Sequence, residues 1–169
     1  MEHLKDSKDK LNELGVSFAV LKPTQTALKK SIIDAIFSIR AYFKENSLHD
    51  YHEQKLGERH KVIINTQILT SEKIIKTKTS LYRPETKKGD PRIWVYDLKK
   101  YAKPDDEIIL IINNKILNIV NINRYNLKKL LESNSKNEIS DLIIDLSSID
   151  GIANELIEKI KKIASKGFI

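Results

Sequence analysis

The run Glu107-Ile108-Ile109-Leu110-Ile111-Ile112, followed by Asn113-Asn114 and then by Ile116 to Ile122, constrains this chain more than any other feature. A strand this uniformly aliphatic has no polar face to offer water, so it belongs at the centre of a sheet. Asparagine tolerates the positive φ angles of a two-residue hairpin, and Asn113-Asn114 is therefore the expected turn into the next strand. A chain committed to such a hairpin is committed to a sheet. Its other apolar segments must supply the neighbouring strands and the covering layers.

Those segments can be read in order. Leu4, Leu11 and Leu14 at helical spacing, with Gly15 as a left-handed stop, predict an N-terminal helix. Val16 to Leu21 is β-prone, apolar on both faces, and stops at Lys22-Pro23. Ile32, Ile33, Ala35, Ile36, Ile39 and Phe43 describe one buried face of a helix for which Ser31 is the expected N-cap. After a polar loop over 48–59, residues 60–69 and 74–82 predict two strands joined near Thr70-Ser71-Glu72. Pro84 and Pro91 bracket a loop containing Gly89-Asp90, after which Arg92 to Tyr96 reads as a strand with Trp94 and Tyr96 as core aromatics. Asp97 is the expected cap of a short helix over 98–101. Beyond Arg124 the pattern turns helical, around 127–131, less distinctly at 139–146, and over 149–164, where Ile152, Leu156, Ile160 and Ile163 form one stripe. Strand, helix, several strands and then helices is an α+β order. Few long helices separate the middle strands, which argues against a doubly wound parallel sheet.

With 169 residues the expectation is one domain over 1–147 and a C-terminal helix over 148–169. No apolar run approaches the ~20 residues of a membrane span and the first residues lack the apolar stretch of a secretory signal, so the expected location is the cytoplasm, with no membrane partner. Zero cysteines exclude disulfides, thiolate metal sites and cysteine nucleophiles. No GxxxxGK[ST], GxGxxG or HExxH pattern supports phosphate-loop, dinucleotide or zincin chemistry. Charge is the informative quantity. Between Lys73 and Lys103 lie ten basic side chains against Glu85, Asp90 and Asp97, an excess equal to the whole formal charge of +7. A field concentrated in this way suits a polyanion, although a solvated basic face has the same composition.

Three constellations carry candidate chemistry. His49, His52 and His60 lie close in sequence without a helical metal-binding register. Glu85-Thr86-Lys87 matches half of the metal-dependent nuclease pattern, with Asp50 as the second carboxylate, so an Mg²⁺-dependent nuclease using Asp50, Glu85 and Lys87 is one alternative. A protein-interaction module using the stripe of the last helix is another. The segment Leu81 to Trp94 has the richer chemistry for reading DNA. Arginine and lysine pair with guanine O6 and N7, Glu and Asp accept from cytosine N4, and neighbouring lysines, with Lys99 and Lys100 on the short helix, meet phosphates. Arg83 and Arg92, at strand ends, are the best-anchored cations of this loop and are expected to include a base reader.

The run from Arg83 to Ile111, a basic arm followed by a strand, a short helix and a Pro-Asp-Asp-Glu turn into an apolar strand, resembles the second recognition arm of DNA-binding pseudobarrels, the fold of plant auxin-response-type domains and of the EcoRII N-terminal domain. The end of the chain, Glu155 to Ile169, resembles the helix that opens the catalytic domain of MvaI/BcnI-type nucleases. Together they resemble the EcoRII/UbaLAI-type restriction endonucleases. The resemblance implies an open, mainly antiparallel β-barrel with flanking helices and a C-terminal helix, binding double-stranded DNA by two arms in the major groove. It places Arg83, Glu85, Lys87, Lys88, Asp90 and Arg92 on the second arm, and Lys22, Thr24, Gln25, Thr26, Lys29 and Lys30 on the first, with part of that role open to the loop holding Tyr51, Lys55 and Arg59. It further implies a non-catalytic, monomeric domain with no cofactor of its own, a short G·C-flanked target such as CCWGG, and an Mg-dependent nuclease domain beyond Ile169 as its partner in the same polypeptide.

Overall fold

The computed structural model of the chain describes residues 2–127. The helical pattern beyond Leu127, the boundary at residue 147 and the C-terminal helix over 148–169 lie outside the described residues. In chain order the elements are helix α1 (Glu2–Glu13), strand β1 (Ala19–Leu21), α2 (Gln25–Lys30), β2 (Ile33–Asp34), α3 (Phe37–Glu45), β3 (Val62–Leu69), β4 (Ile74–Tyr82), β5 (Arg92–Val95), α4 (Leu98–Tyr101), β6 (Ile108–Asn113) and β7 (Ile116–Asn121). The seven strands form one open, curled sheet in the order β1-β6-β7-β3-β4-β5-β2, and the architecture is α+β. None of the described helices is long and apolar enough to cross a membrane.

The sheet is mixed, which corrects the expectation of a mainly antiparallel one. Five neighbouring pairs are antiparallel, but β3 and β7 run parallel, from Thr66 opposite Leu117 to Leu69 opposite Val120. The cause lies in β6 and β7, whose residues are buried almost throughout. Strands apolar on both faces are most stable where both faces are covered, and here the mid-chain hairpin β3–β4 joins them edge to edge. Alternation divides their side chains between two cores. Ile108, Leu110, Leu117 and Ile119 pack with Ile39, Tyr42 and Phe43 of α3, whereas Ile109, Ile111 and Val120 pack with Leu11 and Leu14 of α1. Each fully buried aliphatic or aromatic side chain contributes about 1.5–3 kcal/mol.

β1 and β2 are the two edges, and in a flat sheet they would stand roughly 29 Å apart. The chain passes from one to the other in the eleven residues 22–32, six of them wound into α2, which by itself reaches about 9 Å. The curl brings the edges towards each other, and α4 reaches α2 across the gap, with Lys99 Nζ donating to the Lys29 carbonyl at 3.4 Å.

The β1 edge is held open by a side chain. Extending the register of Ala19 with Leu110 by two residues sets Ser17 opposite Ile112, yet these do not bond each other. Instead the Tyr42 hydroxyl donates to the Ser17 carbonyl at 3.0 Å and accepts from the Ile112 N–H at 3.0 Å, so α3 completes the ladder. Tyr42→Phe strips two part-buried backbone groups of this partner and is expected to destabilise the fold by about 1–3 kcal/mol. Urea unfolding with an unchanged m-value measures that loss. A variant as stable as the parent would show that Ser17 and Ile112 can pair without the hydroxyl.

Several local expectations are corrected by the tertiary structure. The single helix expected after Ser31 is divided. Ser31 is the left-handed C-cap of α2, with φ 56°, and Thr24 is that helix's N-cap, accepting from the Ala27 N–H at 3.1 Å. Ile33–Asp34 then pairs with β5, an edge contact that outweighs helical spacing. The hairpin turn sits one residue later than expected, at Asn114-Lys115, with φ of 48° and 61°. Asp97 has φ 66° and makes no side-chain cap. Its carboxylate pairs with Lys100 at 2.9 Å. Trp94 is half-buried beneath the Lys99 ammonium at 5.8 Å, and Tyr96 is exposed rather than core.

Candidate functional site

Residues 22–30 leave the β1 edge and residues 82–92 connect β4 to β5, and the two segments meet around one cleft of about 500 Å³. Lys22, Thr24, Thr26 and Lys30 line one wall, while Tyr82, Pro84, Thr86, Lys87 and Arg92 line the other. Gln25 and Lys29 are exposed on the same short helix as Lys30, and Glu85, Lys88 and Asp90 are exposed on the second segment. Thr86, Tyr82 and Pro84 lay within the segment singled out by sequence but carried no charge to mark them.

The second segment is braced from inside. Arg83 Nε donates to the Gly89 carbonyl at 2.8 Å and Nη1 to the Tyr51 carbonyl at 3.3 Å. The Gly57 N–H donates to the Arg83 carbonyl at 2.8 Å, and the buried Tyr51 hydroxyl donates to the Arg92 carbonyl at 3.0 Å. Gln54 secures the supporting loop, its amide donating to the carbonyls of His60 and Leu81, each at 2.9 Å. Gly89 has φ 71°, and a Cβ there would meet Leu56 Cδ2 at 2.4 Å, so this position requires glycine. Lys87 and Lys88 precede it with φ of 50° and 56°, a left-handed turn that ordinary residues adopt only at a cost.

This geometry redistributes the candidate roles. The Arg83 guanidinium serves the loop's own backbone. Arg92 forms an ion pair with Asp34, its register partner on β2, and approaches Asp90 at 3.9 Å. Tyr51 is a buried brace, whereas Lys55 and Arg59 of the same loop are exposed. Lys29, Lys30, Lys87 and Lys88 have no side-chain partner among the described residues. Asp34 was not foreseen, because only the β2–β5 pairing puts it beside Arg92. Among the described residues no hydrogen bond or ion pair joins Asp50, Glu85 and Lys87, the alternative trio, to one another. Asp50 is bound by Lys44 at 3.0 Å and by the His52 N–H at 2.9 Å, contacts that hold its carboxyl below the usual range. Glu85 stands against Gly57, and Lys87 faces the cleft described above. His49 hydrogen-bonds Gln54 at 3.0 Å, and burial lowers its pKa.

Lys22, at the root of the first segment, pairs with Glu107 at 2.9 Å, and Lys8 of α1 pairs with the same carboxylate. Lys8 first and Lys22 second hold Glu107 below its ordinary value of 4.5. A carboxyl lowered by folding adds stability that is complete above that value and disappears as the pH falls through its folded value. Glu107→Gln is therefore expected to lower the melting temperature at pH 7, with the difference from the parent closing towards pH 3. A difference that persists at pH 3 would assign the effect to packing instead of charge.

Comparison with family models, with curated proteins and with solved structures finds no match to this chain.

Proposed function

We propose that this chain reads double-stranded DNA in a sequence-specific manner, as a pseudobarrel domain whose two arms enter the major groove, and that it is the target-recognition part of an EcoRII/UbaLAI-type restriction endonuclease. The observation that carries this reading is the meeting of residues 22–30 with residues 82–92, the two basic segments expected as arms, around one cleft. Unpaired lysines on both sides suit phosphates, because each neutralised phosphate releases counterions without regard to sequence. Base edges fall to shorter, exposed polar groups: Gln25 and Thr26 on the first arm, Glu85 and Asp90 on the second. Arg83 braces the second arm from within, and Arg92 ties it to β2. The target is a short G·C-flanked site such as CCWGG, and a following Mg-dependent nuclease domain supplies cleavage.

Fluorescence anisotropy of the full chain on duplexes selected from a randomised pool tests the proposal. The expected result is one enriched motif, bound at least about 10³-fold more tightly than scrambled duplex, with affinity falling steeply as salt rises. Affinity equal on all duplexes would reduce the reading to a non-specific basic surface, and no affinity at low salt would end it.

A further inference from the structure

Ile36 and Phe37, at the step from β2 into α3, are 54% and 77% exposed. Ile36 is the N-cap of α3 and makes no side-chain cap, so an aliphatic group occupies a position where a small polar residue would stabilise the helix. The pair is held firmly beside the second arm: the Ala35 N–H donates to the Pro91 carbonyl at 2.9 Å, and Ile33–Asp34 is in register with Ile93 and Arg92. Ile36 lines the cleft between the arms. Phe37 lines a second cleft, of about 420 Å³, between α3 and the other flank of the same arm.

Cations outnumber acids around this apolar pair. Lys30 and Lys87 share the first cleft with Ile36, where Asp34 is already paired with Arg92, and Lys88 shares the second with Phe37, where Glu45, Asp50 and Asp90 also stand; the Arg40 guanidinium lies 6.0 Å from the Phe37 ring. An apolar protein groove seated here would bury those charges unpaired. A polyanion that also presents apolar groups would satisfy both features, and in the major groove of DNA that group is the thymine 5-methyl. Resting on the DNA-reading proposal above, we infer that Ile36 and Phe37 contact thymine methyl groups beside the second arm and make the domain prefer an A·T pair at that place in its site.

Replacing each thymine of the preferred duplex in turn by deoxyuridine removes a methyl and leaves the base pairing intact. The full chain is expected to lose about fourfold in affinity at one or two positions, the worth of one buried methyl. I36A/F37A should bind the parent duplex more weakly and ignore those same replacements, while melting at the parent's temperature. Wild-type indifference to every replacement, or a variant that keeps the full sensitivity, overturns the inference and leaves DNA reading intact. Failure to bind any duplex overturns both. A lower melting temperature for F37A would assign Phe37 to the chain's own packing, and a dimer abolished by F37A would assign it to a second copy; either result overturns the contact with thymine.

Discussion

A chain with Lys30, Lys87 and Lys88 all changed to alanine is expected to bind its preferred duplex about 10²–10³-fold more weakly near 0.1 M salt, and scrambled duplex more weakly by a similar factor. Lys30 and Lys87 stand on facing walls of one cleft and Lys88 lines the neighbouring cleft on the arm's other flank, none with a side-chain partner among the described residues, so their removal costs the fold nothing in lost ion pairs. Each phosphate left unneutralised takes roughly 0.9 from the slope of log affinity against log salt, and the slope should flatten by about 2.7. Titrations at four salt concentrations measure both quantities. An unchanged slope would show that the lysines face solvent in the complex, and the cleft would lose its standing as the phosphate track.

Arg83→Ala is expected to act differently, abolishing binding to preferred and scrambled duplexes alike because the arm loses its shape. The guanidinium holds the carbonyls of Gly89 and Tyr51, and hydrogen bonds from a charged donor are worth about 1.5–3 kcal/mol. With both bonds lost, the melting temperature should fall by about 6–24 °C for a domain of this size. Arg83→Lys, whose donors all sit on one nitrogen and cannot span the two carbonyls that Nε and Nη1 reach separately, should recover only part of the loss. A base-reading arginine would give the opposite pattern, with stability intact and discrimination lost. Calorimetry together with anisotropy on the two duplexes separates them.

The difference between these two variants marks where sequence reading ends. Strands β3, β4, β6 and β7 were legible because alternation and unbroken aliphatic runs survive any packing arrangement, and Ile74–Tyr82 falls where its composition put it. Residues 31–43 were not, since Ile33, Ile36, Ile39 and Phe43 fit a helical stripe while the pairing of Ile33–Asp34 with β5 is decided far along the chain. The parallel joint between β3 and β7 was likewise a choice among edges, made by which strands find cover on both faces. At the cleft, the charged residues of both segments were visible individually. Whether a guanidinium points at solvent or at a carbonyl 2.8 Å away was not, because both Arg83 and Lys87 read simply as cations in a loop. Phe37 went unremarked for the converse reason: an aromatic inside an apolar run looks buried until the run is divided.

The bridge made by Tyr42 has a consequence for how the molecule breathes. The amide of Ile112 lies on a strand, but its acceptor belongs to a helix. Its hydrogen exchange should therefore follow the lifting of α3 and not the unzipping of β6 from its neighbours, and in native-state exchange it should group with the amides of Tyr42 and Phe43. A single strand amide thus becomes a clock for a helix, and at the β1 edge the sheet can loosen before any of its own strand pairs part.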